Sequence, residues 1–251
     1  MRKKIILFSS FTLLCAALLV WYFFPILAFK WFWYQSDALR PYLISTPVPL
    51  STLKTPPKNW QEISIGALAM KLPMTEYNKV GGTETEIYFV SDRGRLTVLE
   101  IVPSNEMINM IKENKRTSYQ HQVEIYKSTP ADISFFNSRS KNMSAVSNQM
   151  VKVMAIPIGG ISKVLTVDAE NLKALCILSE QRKNGYHATV DVYSKDEKAS
   201  LLLMFHAYKD VDTLETDILA VLGGMKMFDK IPDRKHVIKD INYIVTKFNK
   251  T

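Results

Sequence analysis

The 251-residue chain carries 32 Lys/Arg against 24 Asp/Glu, a formal net charge of +8, with 47% hydrophobic and 22% charged residues. That length accommodates one or two domains, and that composition excludes a wholly disordered chain. The charge is uneven: residues 1–59 hold +6, residues 60–228 hold −1 and residues 229–251 hold +3. The stretch 60–228, expected to form the folded body, therefore lacks the basic footprint a nucleic-acid partner needs, and no nucleic acid is expected.

Behind Arg2, Lys3 and Lys4, no charged residue occurs across the 25 positions from Ile5 to Phe29. As a helix rising ~1.5 Å per residue, such a run covers the ~30 Å hydrocarbon core of a bilayer. A secretory apolar region is shorter, about 7–15 residues, and ends at small residues. Cleavage after Ala17 would leave "LLVWYFFPILAF" as an exposed apolar start. A lipoprotein signal is disfavoured because Leu14 stands before Cys15, where a small residue is needed. The expectation is an uncleaved signal-anchor, with the lipid bilayer as partner through residues 5–29. Pro25 is tolerable near the end of such a helix. More basic residues lie on the N-terminal side, so the N-terminus is expected in the cytoplasm and the body in the periplasm or outside the cell. Trp31, Trp33 and Tyr34, with Lys30 beside them, suit the headgroup layer and complete a segment of residues 1–34.

Cys15 falls in the apolar run and Cys176 in "LKALCILS". The two would not share a compartment, so no structural disulfide is expected. Cys176 reads as a small buried hydrophobe rather than a nucleophile.

Residues 35–59 hold Pro41, Pro47, Pro49, Pro56 and Pro57 and read as an extended spacer; a proline-rich recognition ligand is the alternative. The body is expected over residues 60–228, opening at Trp60. "ISIGALAMKL" (63–72) and "TEIYFVS" (85–91) are strand-like, with "VGGT" as the turn between them. "SDRG" makes a hairpin into "RLTVLEIV" (95–102), since glycine supplies the positive φ such turns require. "NEMINMIKENKR" (105–116) reads as a short helix. Thr129, Pro130 and Asp132 form a helix-start signal, and Met143, Val146, Met150 and Val153 mark a core-facing stripe. Three strands follow at 162–167, 172–179 and 186–194, then a central strand at 198–208. A helix over 212–224 closes the body, with Asp212 and Glu215 as a capping pair and Gly223 at its end.

Hairpin turns between most strands, with helices before and after, imply an α+β body: a mostly antiparallel sheet covered by helices, preceded by one N-terminal transmembrane helix. Residues 60–228 resemble the PsbP-like domains of envelope lipoproteins and photosystem subunits. The matching stretches are "ISIGALAMKLP", "EIYFVSDRGRLTVLEIV" and "ILAVLGGMKM", with a helical insert at 129–156. That resemblance implies a domain used for binding or assembly rather than catalysis. In the tail, residues 229–251, Val237, Ile241, Ile244 and Phe248 form the apolar face of a basic amphipathic helix. Docking on the body, on a membrane and on a partner all fit it.

No HExxH, GxSxG, CxxC or phosphate-binding glycine loop is present. His187 and Asp191 share a strand face with Thr189, about 13 Å apart, too far for a direct hydrogen bond. His206 alternates with apolar neighbours and reads as a satisfied sheet histidine. No catalytic, cofactor-binding or metal residues are assigned. Sequons occur at Asn142 and Asn249 and matter only in a eukaryotic source. The function expected is a membrane-anchored binding or assembly module of the cell envelope with an envelope protein as partner. The alternative is an envelope-anchored hydrolase whose site gathers dispersed polar residues.

Overall fold

A computed structural model describes residues 15–24, 26–31, 46–50, 52–84, 86–99, 118–155, 161–181, 184–197, 199–228 and 233–249. The chain divides into two compact units: residues 1–46 with 125–155, and residues 47–124 with 156–251. The larger unit holds eleven described strands, two helices and part of a third. It is α+β, with a large, mostly antiparallel sheet and covering helices.

Eight strands make the large sheet: β1 (Val48–Leu50), β4 (Tyr77–Gly82), β5 (Glu86–Ser91), β6 (Arg95–Leu99), β7 (Ile161–Asp168), β8 (Leu172–Gln181), β9 (Gly185–Ser194) and β10 (Ser200–Tyr208). Their order is β1-β7-β8-β9-β10-β6-β5-β4. Among the described strands of this sheet, only the β1–β7 pairing is parallel. β10 lies inside the sheet, as its apolar run implies. β2 (Gln61–Ile65), β3 (Leu68–Leu72) and β11 (Lys226–Met227) form a second sheet in the order β11-β3-β2.

Three sequence expectations are corrected at this end. The run 63–72 is two strands, because Gly66 at φ 57° turns the chain so that Ile65 pairs with Leu68. Buried Ile65, Ala67 and Leu68 carry the apolar character through the turn, which hid the break, although the rest of β2 is mostly exposed. "VGGT" is mostly strand: Gly81 and Gly82 belong to β4. A Cβ on Gly82 would lie 2.7 Å from Ile241, so the glycine lets the C-terminal helix approach the strand. Within the expected spacer, Val48–Leu50 forms the edge strand β1, a position where prolines are tolerated because an outer N–H is dispensable. The "SDRG" hairpin forms, with Ser91 and Gly94 exchanging backbone hydrogen bonds, but Gly94 does not take the expected positive φ; a Cβ there would lie 2.6 Å from the Tyr208 ring, so the glycine serves close approach instead.

Beyond residue 46 the described α-helices are α1 (Tyr119–Lys127), α2 (Arg139–Ala155), α3 (Val211–Gly223) and α4 (Arg234–Phe248). α3 starts one residue earlier than expected, because Asp210 caps it and accepts from the Thr213 amide at 2.7 Å. It packs on β3, β9 and β10 and buries Leu214, Ile218, Val221 and Leu222. α4 docks on β2 and β4 through Val237, Ile241 and Ile244, so the tail joins the core of its own body. Ile241→Val should cost about 1 kcal/mol in urea unfolding, the loss of one buried methyl group.

In the smaller unit, residues 15–24 and 26–31 are helical. Phe23, Ile26 and Phe29 pack with Ile133, Ala145 and Val146. Among the described residues no helix is long and apolar enough to cross a membrane. Of the expected span, residues 5–14 and Pro25 lie outside the described residues, as do the expected helix at 105–116 and Trp33 and Tyr34. The Thr129 start signal forms a capping box on the short 3-10 turn Pro130–Asp132, and α2 begins later, at Arg139. The expected core stripe of α2 holds only at Val146, which packs against the core of its unit. Met143 and Met150 are exposed, while Asn142, Ala145, Gln149 and Lys152 face inward. The Val153 side chain lies outside the described ones.

Candidate functional site

β2 ends the three-stranded sheet, so one of its backbone edges has no described strand beside it. Against this strand, the 3-10 turn Met74–Glu76 and α4 enclose a groove of about 890 Å³. Ile63, Met74, Tyr77, Ile244 and Phe248 supply apolar walls, while Glu62, Ser64, Asp240 and Lys247 add polar groups. The volume falls among clefts of ~300–1,000 Å³ that hold ligands. Asp240 also receives a hydrogen bond from the Gly66 amide at 2.9 Å, which ties α4 to the β2–β3 turn at one end of the groove.

Tyr77 connects the groove with a polar cluster. Arg93, presented by the "SDRG" turn, bonds Asp217 at 3.2 Å and also pairs with Glu76. Asp217 is buried on α3 and accepts from the Tyr208 hydroxyl at 3.2 Å. Burial raises the Asp217 carboxyl above its ordinary value, and the Arg93 charge opposes the shift without cancelling it. Burial, followed by the Asp217 charge, pushes the phenols of Tyr77 and Tyr208 upward. The phenols of Tyr77 and Tyr208 therefore keep their protons near neutral pH and serve as fixed donors rather than as proton shuttles.

No family model matches the chain, and no curated protein matches it.

Of the residues singled out in the sequence, His187 and His206 meet. Their Nδ1 atoms are 3.1 Å apart on neighbouring strands, and the His187 Nε2 lies 3.2 Å from the Asn184 carbonyl. A neutral His187 that donates from Nε2 to that carbonyl accepts at Nδ1, so His206 donates to it. The pair flanks a bulge between Phe205 and Tyr208, where Ala207 takes φ 60°. Sequence spacing could not show this contact, because it depends on cross-strand register and on the bulge. Asp191 pairs instead with Leu202 and Leu175, four positions along from His187.

Burial lowers both histidine pKa values, and for His206 the His187 and Arg95 charges add to the effect. A histidine depressed below its unfolded 6.5 stabilises the fold above that pH, and the contribution is lost as pH falls through the folded value. Thermal unfolding temperature should thus drop between about pH 7 and about pH 5. A His187→Gln/His206→Gln variant should flatten that part of the profile.

Cys15 and Cys176 are free, so the structure holds no disulfide between them. Burial, the largest cause, raises the Cys176 thiol far above its ordinary value, which removes the thiolate a nucleophile requires. Among the described residues no group of three or more His, Cys, Asp or Glu side chains could hold a metal ion.

Proposed function

We propose that the chain is a single-pass, N-in envelope protein whose α+β body, held outside the cytoplasm, is a non-catalytic binding or assembly module. The periplasm of a Gram-negative cell is the compartment this reading implies. The uncharged run from Ile5 to Phe29 supports the anchor, as do the exposed apolar side chains of Leu18, Leu19, Val20, Phe24 and Leu27. The antiparallel meander closed by α3 supports a PsbP-like affiliation.

One observation carries the binding reading: the groove runs beside an edge strand. An extended segment of a partner protein can add to the open edge of β2 through main-chain hydrogen bonds, with its apolar side chains against Ile63, Met74 and Phe248. The hydrolase alternative gains less. The hydrogen bonds of the histidine pair run to each other and to a backbone carbonyl, and Asp191 is elsewhere.

Photo-crosslinkers placed at Ser64 and Tyr243 in intact membranes test the groove. Adducts with an envelope protein are expected at both positions, and an Ile63→Lys substitution should abolish them. Adducts that are absent, or indifferent to Ile63→Lys, would reject groove binding.

A further inference from the structure

α2 buries three polar side chains and exposes two methionines. Asn142, Gln149 and Lys152 are fully buried, while Met143 is 45% and Met150 41% exposed. The buried polar groups have work to do. Gln149 donates to the Ser128 hydroxyl at 3.1 Å and Lys152 to the Ser128 carbonyl at 2.5 Å. Asn142 accepts from the Ser134 amide at 3.1 Å and donates to the Ser134 carbonyl at 3.0 Å.

Those Asn142 bonds brace a tight turn. The Asn137 amide bonds the Ser134 carbonyl, and the Phe136 amide bonds the Ser134 hydroxyl. The turn's product is Phe136, which is 99% exposed. A side chain that apolar, held in that position by a buried asparagine, is a feature that water alone does not favour. The same bonds also take the Asn142 sequon out of reach, since its amide is buried and engaged.

Charge completes the pattern. Residues 133–155 contain Arg139, Lys141 and Lys152 and no acidic residue. Exposed methionines and phenylalanines beside basic residues that reach the surface, here half-buried Arg139 and exposed Lys141, are what an interfacial helix on an anionic bilayer requires. The segment is also fastened to the apolar N-terminal helix of its own unit. Phe135 stacks against Phe23 at 5.4 Å with Lys30 over its ring at 4.7 Å, and Arg139 bonds the Trp21 carbonyl at 3.2 Å.

We infer that residues 133–155 form a second membrane contact, in which Phe136, Met143 and Met150 enter the lipid interface beside the anchor and Arg139 and Lys141 meet anionic headgroups. This inference rests on the anchor reading above. Phe136, Met143 and Met150 thus make a lipid-facing surface, and the unit lies against the bilayer it is anchored in.

The full chain, with Cys15→Ser, is reconstituted into vesicles of equal parts phosphatidylcholine and phosphatidylglycerol. Nitroxide labels are attached through Phe136→Cys, Met143→Cys or, as an aqueous reference on α4, Lys235→Cys. At 136 and 143, collision with oxygen should exceed collision with a water-soluble nickel chelate several-fold, with the reverse at 235. Labels at 136 and 143 as open to nickel as the one at 235 would overturn the inference. So would labels closed to both reagents, which would mean that protein covers the stripe. Flotation of the same samples separates the two readings. Chain that does not float with the vesicles defeats the anchor and this surface together, whereas floating chain with nickel-accessible labels defeats the surface alone.

Discussion

Phe205→Ala should lower the stability of the larger unit by about 4 kcal/mol, because a large core aromatic loses its transfer energy and leaves a cavity. Phe205 is buried on β10, inside the eight-stranded sheet, opposite Ala188 on one neighbour and Leu96 on the other. Its ring lies 6.2 Å from that of Tyr208. Small Ala188 and strand-bound Leu96 cannot close the gap, so little of the loss is recoverable by repacking. Against a typical domain stability of about 5–15 kcal/mol, that change brings the unit near unfolding at growth temperature. Urea denaturation followed by circular dichroism measures it, and Phe205→Leu, which keeps most of the volume, should lose distinctly less.

Asp217 gives the second large effect, and its two substitutions should differ. Asp217→Ala strands the buried Tyr208 hydroxyl and removes one of two acidic partners of Arg93. The expected cost is about 2–3 kcal/mol, the range for leaving buried polar groups unpaired. Asp217→Asn keeps an acceptor for Tyr208 without a buried charge. Because the folded carboxyl titrates above its unfolded 3.8, its favourable contribution is present below that pH and is lost as pH rises through the folded value. The asparagine variant should therefore gain on the natural protein as pH rises from about 4 to about 7. Thermal melts of the three proteins across that range read the effect directly. An asparagine variant that loses ground with rising pH would reverse the assignment of a raised carboxyl.

The sheet was legible where two signals agreed. β8, β9 and β10 combine apolar alternation with polar turns, and "SDRG" combines apolar flanks with a glycine. Reading failed where one signal was silent. Between Ile63 and Leu72 the apolar residues from Ile65 to Met70 run straight across the turn, so only Gly66 marks it, although the rest of β2 is mostly exposed. β1 hides among prolines because its identity comes from pairing with β7, a contact far away in sequence. α1 carries too few apolar residues to show a stripe, and no sequence expectation covered it.

α2 failed for a more instructive reason. Periodicity finds the apolar face of a helix but assigns that face to the core only by presumption. Here the inward face is held by Asn142, Gln149 and Lys152 through specific hydrogen bonds. The groove was half legible. The apolar face of α4 was readable from Val237, Ile241 and Ile244, but which surface it covers, and that it leaves β2 as one wall of a cleft, emerges only from the folded unit.

The central claim is an anchored chain with its body outside the cytoplasm, and labelling of one cysteine tests it most directly. Lys235→Cys sits on the exposed start of α4, Cys15→Ser removes the second reactive thiol, and buried Cys176 stays silent. In spheroplasts of a Gram-negative host, a membrane-impermeant maleimide should modify residue 235 without lysis, on chain that stays in the membrane fraction. Modification that requires lysis, or chain recovered in the soluble fraction, would contradict the claim.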